Sequence, residues 1–202
     1  MQTSLLVIDD FLNDPDTIRA QALQLDFPEQ RGIFPGRNSL QRLQLEGLDE
    51  VVSHLVGERL AAAPPNQSHA KCRITLGSDE GLGRVHIDVS DWSGILYLSK
   101  PEDCRGGTEF FRHRRTGWDR FPLDIEEIRK GGFSSFEEAR RILVEEEGTK
   151  EECWDQLMTV PMRYNRLVLL RPWLWHTAGP GFGDNLENGR LVYLMFFVRP
   201  QG

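Results

Sequence analysis

From Cys72 onward the chain is a succession of short apolar runs cut by glycine-rich turns, and this pattern narrows the folds open to it. The runs cover 72–76, 84–89, 94–98, 108–111, 158–162, 166–170 and 191–198. Each is of strand length, rich in Val, Ile, Leu or Phe, and bounded by turn formers, which reads as β-structure rather than helix. The last run, almost wholly apolar, predicts a strand covered on both faces and therefore central. Many short strands of this kind fit a double-stranded β-helix, the jelly roll shared with cupins.

Ahead of this region, 4–8 reads as a strand. Asp14 and Pro15 form the cap and first turn of a helix to about residue 26, with Ile18, Ala22 and Leu25 on one side. A second helix is expected over 48–62, carrying Val51, Val52, Leu55, Val56 and Leu60 and stopping before Pro64 and Pro65. Both helices are expected to buttress a sheet. Between the two groups of strands lies an insertion, 113–157, rich in charge and helical signals. Asp124 precedes Ile125-Glu126-Glu127, Ser135/Glu138 and Thr149/Glu152 have capping-box spacing, and Gly131 and Gly148 are expected to end helices. Such an element serves as a lid or substrate-selecting wall, a dimer contact, or a cover for a sheet edge. At 202 residues the chain is expected to form one domain, 1–202.

The chemistry is concentrated at two places. Val85-His86-Ile87-Asp88-Val89 puts an imidazole and a carboxylate two residues apart, hence on one face of an extended chain. His176, in Trp173-Leu174-Trp175-His176-Thr177, is a lone late histidine able to close a third corner. Two imidazoles and one carboxylate on one face of an octahedral ion leave three positions open, as in the non-haem Fe(II) facial triad. The bland alternative is a surface histidine beside a turn aspartate. His54 and His69 have no partner spacing and read as surface histidines.

Context separates these alternatives. After Asp88 the chain reads Trp92-Ser93-Gly94-Ile95-Leu96-Tyr97-Leu98-Ser99, then Gly106-Gly107-Thr108-Glu109-Phe110-Phe111. Around His176 it reads Arg163-Tyr164-Asn165-Arg166-Leu167-Val168-Leu169-Leu170 before, and Gly179-Pro180-Gly181-Phe182-Gly183 after, with Arg190 opening the last apolar run. In this order the segments resemble the Fe(II)/2-oxoglutarate-dependent dioxygenases, closest to the prolyl-4-hydroxylase-like branch. The resemblance covers about 70–111 and 158–199. It implies that His86, Asp88 and His176 ligate Fe(II), and that Tyr97 and Arg190 hold the distal carboxylate of 2-oxoglutarate. A planar guanidinium suits that role because it pairs with a carboxylate in bidentate fashion and stays charged when desolvated. The implied reaction consumes O2, releases succinate and CO2, and hydroxylates an unactivated C–H. Asp88 sides with hydroxylation over halogenation, and demethylation through a hydroxylated intermediate stays open.

Two departures stand out. Arg190 follows His176 by fourteen residues, a longer gap than the family usually shows, with the excess in 181–189; Arg199 is the alternative. The glycine pair precedes Thr108-Glu109, where the family more often has the acid before the threonine, so neither residue is assigned a role. On their own, Tyr97 reads equally as a core aromatic with a satisfied hydroxyl and Arg190 as a strand-edge charge. Trp92, Trp173 and Trp175 read as packing or as pocket walls.

Composition excludes several other classes. A net charge of −7 and a pI near 5.3 argue against nucleic acid held by its phosphates. The local exception is Arg112, His113, Arg114, Arg115 and Arg120, read either as a solvated loop or as a clamp for an anionic substrate. No apolar run approaches membrane-spanning length, and no signal is visible in 1–12. Three widely spaced cysteines suggest reduced thiols and a cytoplasmic setting. The expected substrate is a peptide or small molecule, with the oligomeric state open, a homodimer included. Two competing readings are a non-catalytic cupin-like metal or interaction module and a zinc hydrolase on the same triad.

Overall fold

The structure is a computed structural model that describes residues 3–30, 32, 34–81 and 85–200. Its strands are β1 (Leu5–Ile8), β2 (Arg37–Asn38), β3 (Ala61–Ala62), β4 (Cys72–Thr75), β5 (Trp92–Tyr97), β6 (Gly107–His113), β7 (Trp154–Pro161), β8 (Leu167–Leu170), β9 (His176–Ala178) and β10 (Arg190–Val198). Its helices are α1 (Pro15–Leu23), α2 (Leu48–Val56), α3 (Ile125–Lys130) and α4 (Phe136–Arg140), the last continued by a π-helical segment (Arg141–Glu146). The strands form two antiparallel sheets, a major one ordered β1-β8-β5-β10-β4-β2 with β3 also on β10, and a minor one ordered β7-β6-β9. This is the expected double-stranded β-helix, and β10 is central as its apolar run predicted.

Alternation along β10 separates two of the three cores formed among the described residues. Leu191, Tyr193, Met195 and Phe197 face α1 and α2, packing with Ala22, Leu48 and Val52. Val192 faces the barrel interior with Tyr97, Phe110, Val168 and Leu170, and Arg190 shares its side of the strand. Burial of each large apolar side chain contributes roughly 1.5–3 kcal/mol. Helices of nine residues would be marginal alone, so the sheet holds them. Asp14 caps α1 as expected, accepting from Thr17 N at 3.1 Å.

Several expectations are corrected. The second helix stops at Gly57, in the left-handed region at φ 70, and 61–62 pair with β10 because Gly57 turns the chain back onto the sheet. Of the run 84–89, Arg84 lies outside the described residues. The rest is no regular strand: His86 makes one isolated bridge to His176, and Asp88 N donates to Pro172 O at 3.0 Å. The connection between β6 and β7 is shorter than 113–157, because His113 and residues from Trp154 onward pair across the minor sheet. Ser135 caps α4, but the Glu138 carboxylate turns to Ser134 rather than back to Ser135. Thr149 caps nothing: Glu151–Cys153 is a 3-10 turn entered from Lys150 without a side-chain cap. His69 is buried, not on the surface, with Nδ1 2.7 Å from Phe196 O.

The glycine pair has a steric cause. Gly106 sits at φ 62, and a Cβ on Gly107 would come within 1.9 Å of Val160 O, so β6 and β7 close together only with glycine there. No helix among the described residues is long and apolar enough to cross a membrane.

Candidate metal centre

The segment 85–89 is held extended by hydrogen bonds to distant parts of the chain. His86 and His176 exchange backbone bonds, His86 N to His176 O at 3.0 Å and His176 N to His86 O at 3.2 Å. That register puts both imidazoles side by side, ring centroids 4.4 Å apart. Asp88, two residues on, falls on the same side. His86 Nε2 lies 3.7 Å from Asp88 Oδ1, and His176 Nε2 lies 3.4 Å from Asp88 Oδ2. One potential ligand atom from each residue lies within 4.8 Å of the others, spacing that one ion can bridge.

The surroundings orient these side chains. His176 Nδ1 is 2.8 Å from Leu174 O; donation there puts the proton on Nδ1 and turns Nε2, a lone-pair nitrogen, toward Asp88. Ser93 Oγ donates to Asp88 Oδ2 at 2.6 Å and is itself 3.0 Å from Ser90 Oγ. Phe34 packs edge-on against the His86 ring at 4.6 Å. Burial alone pushes the Asp88 carboxyl up, but His176, His86 and the Ser93 hydroxyl overcome it and hold Asp88 well below the usual carboxylate range. Burial likewise pushes His176 down, yet the Asp88 charge wins and raises it. Side-chain exposure is 19% for His86, 17% for Asp88 and 5% for His176, so access is from the His86–Asp88 side.

Deeper in the barrel, Arg190 is 2% exposed. Its Nε has no hydrogen-bond partner, and the guanidinium forms no ion pair, among the described residues. Its Cζ lies 6.0 Å from the centroid of the Tyr97 ring. Burial pushes the Arg190 pKa down, with Tyr97 and Glu109 opposing this weakly from a distance. Tyr97 OH lies 2.7 Å from Thr108 Oγ1, and burial pushes that phenol up, so it is neutral. The triad and this arginine-tyrosine pair face the same interior. On β6, Thr108 touches Tyr97 while Phe110, two residues later, is paired with His176.

The lengthened loop before Arg190 is ordered by its own side chains. Asn188 Oδ1 accepts from the backbone of Asp184 and Asn185, and Asn188 Nδ2 donates to Asp184 Oδ1, which absorbs the extra residues without moving β10. Arg199 is elsewhere, paired with Glu58 on the surface. The arginine-rich segment is not a free anion clamp: Arg114 pairs with Asp155, Arg115 with Glu147 and Arg120 with Glu127. Trp92 and Trp175 are fully buried and serve as packing. Sequence reasoning missed Ser93 and Thr108. Ser93 shares the alternation of Tyr97 on β5, whereas Thr108 is marked out by its contact with Tyr97 across the fold. For Ser93 that parity was the available signal.

A double-stranded β-helix with two histidines and an aspartate around one point, and behind them a buried arginine with no ion pair among the described residues, defines this protein as a jelly roll built around a candidate metal centre. The chain belongs to DUF6445, a family of unknown function, which it matches over residues 1–197. No curated protein matches the sequence. Among solved structures it is similar to HygX from Streptomyces hygroscopicus with nickel, 2-oxoglutarate and hygromycin B bound, at TM-score 0.56 and 14% identity. That alignment covers 98% of this chain and 84% of HygX. HygX with nickel and 2-oxoglutarate gives TM-score 0.52 and 15% identity over the same shares. A Trichoplax adhaerens prolyl hydroxylase in complex with a hypoxia inducible factor peptide gives 0.49 and 12%, over 96% of this chain and 83% of that one. At these identities the likeness to the two HygX structures establishes the shared fold.

Proposed function

We propose that this protein is an Fe(II)- and 2-oxoglutarate-dependent dioxygenase that hydroxylates a C–H bond of a peptidyl or small-molecule substrate. The observation that carries the reading is Arg190. A guanidinium buried without a counter-anion is costly, and a dicarboxylate reaching from the triad offers it one. Thr108, beside Tyr97, and Phe110, opposite His176, are about 7 Å apart along β6, a separation that would accommodate a five-carbon dicarboxylate. The donor set fits a hard-to-borderline divalent ion with open positions.

His86, Asp88 and His176 would hold the ion. Arg190 would pair with the distal carboxylate of 2-oxoglutarate, with the Tyr97 hydroxyl, fixed by Thr108, donating to it. Leu174 O keeps His176 in the tautomer that binds metal, and Ser93 keeps Asp88 turned toward it. The apolar interior around Tyr97, Phe110 and Val192 keeps water from the cosubstrate. The bound Fe(II), with 2-oxoglutarate and O2, supplies the oxidising power, and succinate and CO2 leave as products.

The test is anaerobic addition of Fe(II) and 2-oxoglutarate, which yields a weak visible charge-transfer band when the keto acid chelates the ion. A non-catalytic module gives no band, and a zinc hydrolase gives no succinate. Succinate release, screened across amino acids, peptides and metabolites and abolished in His176→Ala, identifies the reaction, and a mass gain of one oxygen identifies the substrate.

A further inference from the structure

The connection between β6 and β7, 114–153, builds a core of its own from Phe121, Ile128, Phe133, Ala139, Leu143 and Val144. Three further buried members come from outside it: Trp154 opens β7, while Val85 and Trp175 each immediately precede a histidine of the triad. Ile87 and Trp173 pack on the same cluster. Odd positions of both ligand-bearing segments thus enter the insertion, while His86, Asp88 and His176 point the other way. Trp175 is gripped edge-on by Phe121 and Trp154, at 5.7 and 5.0 Å between centroids.

Backbone bonds tie the same segments to the insertion. Val85 N donates to Gly148 O at 2.9 Å, Phe121 N to Trp173 O at 2.7 Å, and Trp175 N to Asp119 O at 3.4 Å. Arg120 and Leu174 form a bridge. The Gly148 corner is fastened in turn to the roots of the minor sheet: His113 Nε2 lies 2.9 Å from the Glu147 carboxylate, and Trp154 Nε1 donates to Glu147 O at 2.9 Å. Apart from these ties, the backbone of 85–89 is held among the described residues by the bridge to His176 and one bond to Pro172, and β9 is three residues long. Elements this short fray when left to themselves.

We propose that the insertion is a clamp that sets the spacing of His86 and His176, and through it the affinity for metal. The affinity consequence rests on the triad binding an ion, as proposed above; the clamping itself does not. Ile128 and Val52 are both fully buried, Ile128 in the insertion and Val52 in the core beneath α2. Ile128→Ala and Val52→Ala are compared by amide hydrogen exchange of the ion-free protein and by Co(II) titration followed by absorbance. The expected result is faster exchange over 85–88 and 173–177, with Co(II) affinity down roughly 10- to 100-fold, in Ile128→Ala alone. Ile128→Val provides a milder deletion if Ile128→Ala fails to fold. Equal exchange of these segments in the two variants overturns the proposal, as does faster exchange with Co(II) affinity within twofold of the parent. If the parent protein binds no Co(II), the triad reading fails, and the exchange data still decide the clamp.

Discussion

Arg190→Met makes the sharpest prediction, because function and stability move in opposite directions. The guanidinium is 2% exposed with Nε unpartnered, and its main local compensation is the Tyr97 ring at 6.0 Å. A buried charge costs several kcal/mol after relaxation, and a cation-π contact of this length returns about 0.5–2 kcal/mol. Methionine has similar length and no charge, so the cosubstrate-free protein should gain about 1–3 kcal/mol. At 2–4 °C per kcal/mol for a chain of this size, its melting temperature should rise by about 2–12 °C. The dicarboxylate loses its partner. Truncating one side of a buried, hydrogen-bonded charge pair costs about 2–5 kcal/mol, or roughly 30- to 4,000-fold in Kd. Scanning fluorimetry of the ion-free protein reads the first effect, and calorimetric titration of 2-oxoglutarate with Mn(II) present reads the second. A variant that melts lower and binds 2-oxoglutarate as the parent does would refute the assignment of Arg190 as a carboxylate anchor.

Three further outcomes are expected. Ser93→Ala removes the 2.6 Å bond to Asp88 Oδ2 and should weaken Co(II) binding by roughly tenfold or more; an unchanged titration shows that Asp88 is oriented by its backbone alone. Glu58→Ala strips the partner from Arg171, which is 3% exposed and lies 4.2 Å from the Trp92 ring. Because Glu58 is itself 23% exposed and Arg171 also donates to Thr3 O and Asp91 O, the cost should be about 2 kcal/mol, below the roughly 3–5 kcal/mol of a fully buried pair; a melting temperature within 1 °C of the parent contradicts this. Burial holds the His113 imidazole below its ordinary 6.5, against the opposing pull of Glu147. The folded state therefore binds fewer protons than the unfolded chain, and stability present above pH 6.5 declines on acidification, by at most about 1.4 kcal/mol per pH unit. His113→Gln should flatten the melting profile between pH 7 and 5 relative to the parent, and parallel profiles would exclude His113 as the source.

The residues that were legible in the sequence are those whose signal is local. His86 and Asp88 share a face because extended chain alternates, whether or not its hydrogen bonds make a regular strand, so their pairing survived the loss of the expected 84–89 strand. The apolar run from Leu191 announced a central strand, and Asp14-Pro15 announced α1. Arg190 was singled out by its place at the head of that strand, and the self-bonded loop at 184–188 left the place unchanged. Other features depended on partners remote in sequence. The second helix yielded to sheet pairing at 61–62, and His69 was drawn inside by Phe196. Arg114, Arg115 and Arg120 were paired with acids that lie next to them only after folding.

The types of side chain present and their parity along the backbone were decided residue by residue, since the two-residue repeat of an extended chain needs no tertiary information. Which atoms meet was decided by the fold. The bridge from His86 to His176 and the grip of the insertion on Val85 and Trp175 join positions tens of residues apart, and the contact of Thr108 with Tyr97 joins positions eleven apart on different strands. Only packing around three separate cores brings such positions together, because no local preference of the backbone encodes the distance between them.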